Sequence, residues 1–172
     1  MLEEAQAQAR RILRHMPEEV FELWFDERVS SLGWPPAGTR WDGVLREMSL
    51  SQWRQLRWTK QPVVLDQSQL HPGTIHIING LTEAYFVGIP NAYSADMGTG
   101  SIVKLQRILQ YIGEYHQLPS TLIFVKKGHL YDIVDGCHRL TAYLNLRAIP
   151  AADEQLPDAQ VSWVGAIDSS LP

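Results

Sequence analysis

The sequence predicts an α+β fold in which a small mixed sheet is packed with helices and preceded by an N-terminal helical cap. Residues 1–60 contain helix-forming runs separated by proline and glycine, a pattern typical of short helices joined by turns. From Gln61 the chain changes to short, apolar, β-prone runs. A strand, a tight turn and a helix start follow one another over residues 130–146. We therefore divide the chain into a helical N-terminal region, 1–60, and a core domain, 61–172.

Three helices are predicted in the N-terminal region. Residues 5–15 are rich in Ala, Gln, Arg and Leu, and Pro17 ends that run. Because proline suits the first turn of a helix, Pro17 also begins a second helix, which Gly33 ends. Ser49 or Ser51 is a suitable cap for the third helix, which we expect to continue through residue 57.

Tryptophan is concentrated in the N-terminal region, which holds five of the six tryptophans in the chain. These are Trp24, Trp34, Trp41, Trp53 and Trp58. The simpler interpretation is that they pack the helical cap onto the sheet. The alternative is an aromatic contact surface for a protein partner or an oligomer, since large aromatic side chains dominate many interfaces.

The core domain is predicted to contain several strands and two helices. The strands are expected at residues 62–66, 74–78, 84–87, 121–125, 130–134 and 161–164, with Asn79-Gly80 as a hairpin turn between the second and third. Residues 88–100 are predicted to form a long loop that could serve as a lid. A helix is expected over 101–117, and another begins after Gly136.

The junction after Val134 is the strongest candidate for a functional site. Gly136 and the only cysteine of the chain, Cys137, lie where a strand, a turn and a helix start meet. Backbone N–H groups and the positive end of the helix dipole make such a junction a site for anions. The guanidinium of Arg139 can hold a phosphate in bidentate fashion, and His138 adds a second donor.

This junction also resembles a known family. The tetrapeptide at residues 136–139, Gly-Cys-His-Arg, is similar to the signature of sulfiredoxins, and residues 133–143 resemble the phosphate-binding loop of the broader ParB/sulfiredoxin superfamily. The order of helices and strands from residue 101 to 150 also resembles that superfamily. The resemblance implies that the core domain has the fold of this superfamily and that a nucleotide binds on the loop at residues 133–143. It leaves the reaction open, because the relatives include partition proteins, nucleotide hydrolases, a free-serine kinase and sulfinic-acid reductases.

The function that we expect is the binding of ATP or CTP, followed by phosphoryl transfer or nucleotide hydrolysis. The nucleotide would be held by Gly136, Cys137, His138 and Arg139. His138 would assist catalysis, and Asp135 would hold Mg²⁺ or act as the base, because a carboxylate beside a phosphate loop otherwise repels the nucleotide. The structural alternatives are a carboxylate pair for Arg139, a helix-capping role for His138 and a turn role for Asp135.

A reductase is the first alternative function. In sulfiredoxins, the cysteine that matches Cys137 attacks a phosphorylated sulfinic acid on a partner enzyme. A helix N-terminus beside His138 and Arg139 should lower the pKa of the Cys137 thiol and make it a nucleophile. The chain departs from sulfiredoxins in carrying Asp135 before the glycine and in its N-terminal region. Cys137 could instead be a small residue that fills a variable position of the loop.

Composition limits the remaining possibilities. The net charge is −4, with 15 basic and 19 acidic residues, so a ParB-like association with DNA is disfavoured although basic runs occur at residues 10–14 and 54–60. A non-enzymatic module that binds a protein through the tryptophans is a further alternative.

No apolar run is long enough for a membrane helix, and the acidic N-terminus lacks a signal-peptide core, so we expect a cytoplasmic protein. Lys104 could reach a phosphate but is more simply a solvated helix residue.

Overall fold

The computed structural model describes residues 2–96 and 99–167, and over these residues the fold is α+β, as predicted. The sheet contains β1 (Leu56–Val64), β2 (Leu122–Lys127), β3 (Leu130–Asp135) and β4 (Ala159–Ile167). Their order across the sheet is β1-β4-β2-β3. The sheet is mixed, because β4 lies parallel to β2 while β1–β4 and β2–β3 are antiparallel.

The N-terminal region is helical, and the helix at Thr39–Val44 is one that the sequence did not predict. Its elements are α1 (Leu2–Ile12), α2 (Glu18–Val20), a π-helical turn (Phe21–Phe25), α3 (Asp26–Leu32), α4 (Thr39–Val44) and α5 (Leu50–Gln55). Ser49, and not Ser51, caps α5. Its hydroxyl accepts from the Gln52 N–H at 3.2 Å, and the Gln52 side chain accepts from the Ser49 N–H at 2.8 Å. The expected continuation of this helix through residue 57 is wrong, because β1 begins at Leu56.

The tryptophans pack the N-terminal region onto one face of the sheet, as the simpler interpretation predicted. Trp24 stacks on Trp53 with ring centroids 5.5 Å apart, and the Trp53 indole N–H donates to the Leu45 carbonyl at 2.9 Å. This cluster also contains Ile123 and Val125 of β2. Trp24 and Trp53 are therefore buried and contribute almost nothing to the protein surface.

The opposite face of the sheet is covered by the helices of the core domain. These are α6 (Pro72–Thr82), α7 (Thr99–Tyr115), α8 (Cys137–Arg147) and the short α9 (Pro150–Asp153). Leu122 and Phe124 of β2 point into this second layer, where Leu140 is fully buried. Because side chains alternate along a strand, β2 is buried on both faces and separates the two apolar cores.

The strands predicted at 74–78 and 84–87, with a hairpin turn at Asn79-Gly80, are wrong. The chain there forms α6, followed by a π-helical turn, Glu83–Val87. Pro72 occupies the first turn of α6, and the His71 Nδ1 caps it by accepting from the Gly73 N–H at 3.2 Å. The β-branched residues favoured a strand locally, but tertiary burial of one helix face determines the structure.

Other elements of the core domain follow the prediction. The helix over 101–117, the strand pair around residues 121–134, the helix after Gly136 and the strand near residue 163 are all confirmed. The predicted loop at 88–100 includes a 3₁₀ turn, Ala92–Asp96, and α7 already begins at Thr99, while residues 97 and 98 lie outside the described residues. The predicted boundary at residue 60 falls within β1.

Within residues 2–96 and 99–167, no helix combines the length and the apolar character that crossing a bilayer requires.

Candidate functional site

The candidate site lies at the junction between β3 and α8. Asp135 is the last residue of β3, Gly136 follows it with φ +95° and ψ 22°, and α8 begins at Cys137. The N-cap residue of α8 is Gly136, which has no side chain with which to cap the helix. The predicted strand, tight turn and helix start are therefore present, and the first turn of α8 presents its amide groups at the loop.

Glycine is required at position 136 for two reasons. Its φ lies in the left-handed region, which side chains of L-residues rarely adopt. A Cβ at this position would lie 2.5 Å from the Leu122 Cδ2 and 2.8 Å from the Arg139 Nη2. The Arg139 guanidinium thus lies directly over the loop, in space that only glycine leaves open.

Arg139 forms the carboxylate pair that was its structural alternative. Its Nη2 donates to the Asp135 Oδ2 at 2.9 Å and to the Thr121 carbonyl at 3.2 Å. The Arg139 Nε is buried and has no hydrogen-bond partner. The pair partly neutralises Asp135 and fixes both charged groups beside Gly136. A phosphate-binding role for Arg139 stays a prediction.

The expectation of a lowered pKa for Cys137 is wrong. Burial raises the pKa of the Cys137 thiol, and the negative charge of Asp135 raises it further. These effects outweigh a hydrogen bond from the His138 backbone and the positive charges of Lys104 and Arg139, which act in the opposite direction. The helix N-terminus therefore does not make this cysteine a thiolate at neutral pH.

Other side chains reach the same place from different parts of the chain. The His138 Nδ1 lies 3.6 Å from the Cys137 Sγ, and the His138 ring meets Tyr85 edge-on at 5.8 Å. Burial raises the pKa of Tyr93, and the thiolate that Cys137 forms only at alkaline pH raises it further, while Arg46 acts to lower it. Tyr93 and Arg46 were not predicted, because nothing in their local sequence distinguishes them.

A cleft of about 290 Å³ opens beside Cys137, between the N-terminal region and the core domain. Three arginines of the N-terminal region line it, namely Arg28, Arg40 and Arg46, and we call this the arginine cleft. Its walls include the apolar side chains of Ile77 and Val134. None of the described residues that line it is acidic. The cleft thus combines three guanidinium groups with the first residue of α8.

Arg46 is held rigidly at the edge of this cleft. Its φ is +54° and that of Glu47 is +61°, so two consecutive non-glycine residues adopt the left-handed conformation. The Arg46 Nη2 donates to the Asp132 Oδ1 at 2.7 Å, and the Lys127 Nζ donates to the Arg46 carbonyl at 2.7 Å. These contacts stabilise a backbone that is otherwise unfavourable.

Asp132 is the buried centre of that network, with only 1% of its side chain exposed. Its Oδ1 accepts from the Thr74 hydroxyl at 2.8 Å, and its Oδ2 lies 2.9 Å from the Lys127 Nζ. Burial by itself would raise the pKa of Asp132, but hydrogen bonds from Arg46 and Lys127 outweigh it and hold the pKa below its ordinary value. Sequence reasoning missed this carboxylate, which lies in a β-prone run.

A magnesium site made of protein ligands alone is not present in the part of the chain that the structure describes. No group of three or more His, Cys, Asp or Glu side chains there is arranged to hold a metal ion. Asp135 is thus a single carboxylate beside the loop. Mg²⁺ is commonly held by one or two carboxylates together with the phosphates of the substrate, so Asp135 is compatible with that arrangement.

Comparisons with known proteins add no relative: no family model matches the chain, and no curated protein or solved structure matches it. The resemblance to the ParB/sulfiredoxin superfamily therefore depends on the loop and its structural context alone.

We predict that Gly136→Ala destabilises the protein by about 1–3 kcal/mol, because alanine is strained at this φ and its Cβ displaces Arg139. The matched control is Gly113→Ala in α7, where a Cβ meets nothing within 4 Å. That change should stabilise the protein by roughly 0.5–1 kcal/mol. Urea unfolding of both variants measures the difference, and equal effects would contradict the assigned geometry.

We predict that Asp132→Asn destabilises the protein by about 3 kcal/mol near pH 7, because it leaves Arg46 and Lys127 without their buried counter-charge. Since the folded pKa of Asp132 is depressed, its stabilising effect is complete above the ordinary pKa of about 3.9 and is lost as the pH falls through the folded pKa. The difference in unfolding free energy between variant and wild type should therefore shrink in acid. Asp158→Asn, which alters an exposed pair with Arg147, should cost under about 1 kcal/mol at every pH.

Proposed function

We propose that the arginine cleft and the loop at residues 135–139 together bind the phosphate chain of a nucleotide, ATP or CTP. The observation that carries the proposal is that Arg28, Arg40 and Arg46 line one cleft together with Cys137, the first residue of α8. A phosphate chain carries several negative charges, and a lining with three cations and no acid complements it.

The charges in the arginine cleft are available to a ligand. Arg28 and Arg40 form no ion pair with any other described residue, whereas Arg46 shares its charge with the buried Asp132. Arginine suits this role because its planar fork matches phosphate oxygens in bidentate geometry. The volume of the cleft, about 290 Å³, is close to the lower limit for ligand cavities, which is about 300 Å³. A cleft of this size suits a phosphate chain, with the base of the nucleotide lying towards the mouth of the cleft.

The loop residues complete the proposed site. The backbone N–H groups of Gly136, Cys137 and Arg139 would donate to phosphate oxygens at the positive end of α8. The His138 side chain, which lies beside Cys137, would donate a further hydrogen bond. Arg139 would strengthen this positive end while it remains paired with Asp135.

The proposed reaction is phosphoryl transfer or nucleotide hydrolysis. Asp135 would hold the Mg²⁺ that accompanies the nucleotide, or accept the proton of an attacking hydroxyl group or water. The three arginines would stabilise the negative charge on the transferred group, since fixed cations in a site of low water content are effective there. The sulfiredoxin-like reductase has less support, because the raised pKa of Cys137 keeps its thiol protonated.

This proposal agrees with the family resemblance and with a cytoplasmic location. The strand, glycine turn and helix of the loop are in the order that the ParB/sulfiredoxin superfamily would supply. We propose the cytoplasm because ATP and CTP are available there. The N-terminal region, which the resemblance does not cover, would then supply the cations of the cleft.

Calorimetric titration tests the proposal with ATP and with CTP, each in the presence of Mg²⁺. Wild type should bind at least one of them, and Arg40→Gln should weaken that binding about tenfold, because it removes a charged hydrogen bond. Arg40 is exposed, so the variant should fold normally. Arg107→Gln, which removes an exposed arginine of α7, is the matched control and should bind like wild type.

The absence of heat with either nucleotide would overturn the proposal. Binding that is undiminished in Arg40→Gln and Arg28→Gln would place the nucleotide outside the arginine cleft. Inorganic triphosphate, titrated in parallel, separates recognition of the phosphate chain from recognition of the base.

A further inference from the structure

A second basic cleft lies on the N-terminal region, away from the loop at residues 135–139. It has a volume of about 730 Å³ and is formed by α1, the turn after it, and α5. We call it the outer groove, and the side chains that define it are Arg11, Ile12, Arg14, His15, Leu50 and Arg54. It shares no lining residue with the arginine cleft.

In the folded protein, some residues of the two basic runs at 10–14 and 54–60 form ion pairs with acidic side chains, and others do not. Arg10 forms ion pairs with Glu18 and Asp26, and Lys60 pairs with Glu19 at 2.9 Å. These contacts use acidic groups that could otherwise neutralise the rest of the two runs. The paired residues belong to the internal bonding of the N-terminal region.

The arginines of the outer groove are not neutralised in this way. Arg11, Arg14 and Arg54 are exposed, and none of them has an ion pair with another residue of the described ranges. No acidic residue is among the described side chains that line the groove. Three like charges gathered around one concave surface repel one another unless an anion binds between them.

The negative net charge of the chain does not remove this local field. Residues 1–60 contain nine basic and nine acidic residues, so the net charge of −4 arises from residues 61–172. Because exposed charges separated by more than about 10 Å are largely screened at ordinary ionic strength, the lining of the groove determines what it attracts.

We propose that the outer groove binds the sugar–phosphate backbone of a single nucleic-acid strand. Arginine is well suited to phosphodiesters, whose oxygens accept from its planar fork. A concave groove can follow a flexible strand, whereas reading a duplex groove requires a protruding helix or ribbon. The binding is independent of sequence, because the arginines of the groove contact backbone phosphates, which carry no information about the bases.

The same lining argues against an anionic membrane as the occupant. A membrane surface is engaged by apolar side chains that project into the lipid beside the basic ones. The apolar residues that line the groove, Ile12 and Leu50, are half-buried and do not project from the surface as exposed apolar side chains. The groove therefore offers charge without an apolar group for insertion.

Fluorescence anisotropy with a labelled 12-nucleotide strand of dT tests this proposal on the full chain. If three arginines each neutralise one phosphate, the logarithm of the association constant should fall with the logarithm of salt concentration with a slope of about −2. Affinity should thus weaken about 20-fold between 50 and 200 mM KCl. Arg11→Gln combined with Arg14→Gln and Arg54→Gln should abolish binding at 50 mM KCl, and each single change should reduce the slope by about 0.7.

Arg107→Gln, an exposed arginine of α7, is the matched control and should leave both the affinity and the slope unchanged. Undetectable strand binding by wild type at 50 mM KCl would overturn the proposal. An unchanged affinity in the triple variant would also overturn it, because the strand would then bind elsewhere. Stronger binding to poly-glutamate of equal charge, or to vesicles containing phosphatidylserine, would identify a different occupant and reject the nucleic acid. Neither the proposal nor its failure depends on nucleotide binding in the arginine cleft.

Discussion

The buried carboxylate of Asp132 is the interaction on which the arrangement of the site depends. It joins Arg46 of the N-terminal region, Lys127 of β2 and Thr74 of α6 to β3. A buried carboxylate without these partners would be costly, so the three segments are held in one relative position. The Thr74 hydroxyl extends the network, since it also accepts from the Ile133 N–H at 2.7 Å. The position of Arg46 at the arginine cleft follows from this network.

The two-layer packing around β2 explains why a cleft lies where it does. β2 buries Ile123 and Val125 against the tryptophan cluster and Leu122 and Phe124 against the core-domain helices. The two layers meet near the end of β3, and the arginine cleft opens at that seam. The N-terminal region thus contributes both apolar cover for the sheet and cations for the cleft. One folded unit therefore brings together arginines distant in sequence and the glycine turn before α8.

Local sequence signals predicted the loop and its supporting elements, because the determinants there are local. Gly136 ends a β-prone run and precedes residues with helical spacing, and the structure has a strand, a left-handed turn and a helix at those positions. The same approach failed over 74–82, where Ile-rich residues and Asn79-Gly80 favoured a hairpin but burial of one face made a helix. The arginine cleft could not have been predicted, since Arg28, Arg40 and Arg46 approach Cys137 only through long-range packing. The pKa of Cys137 was mispredicted because its burial and the orientation of Asp135 are properties of the fold.

The central claim is that a phosphate chain binds between the arginine cleft and the first turn of α8. Backbone amide NMR of the ¹⁵N-labelled protein, titrated with ATP or CTP and Mg²⁺, tests it most directly. We expect the largest shifts at the amides of residues 136–139 and at Arg40, with little change at Arg107 on α7. Saturable shifts confined to other parts of the chain, or no shifts with either nucleotide at millimolar concentration, would contradict the claim.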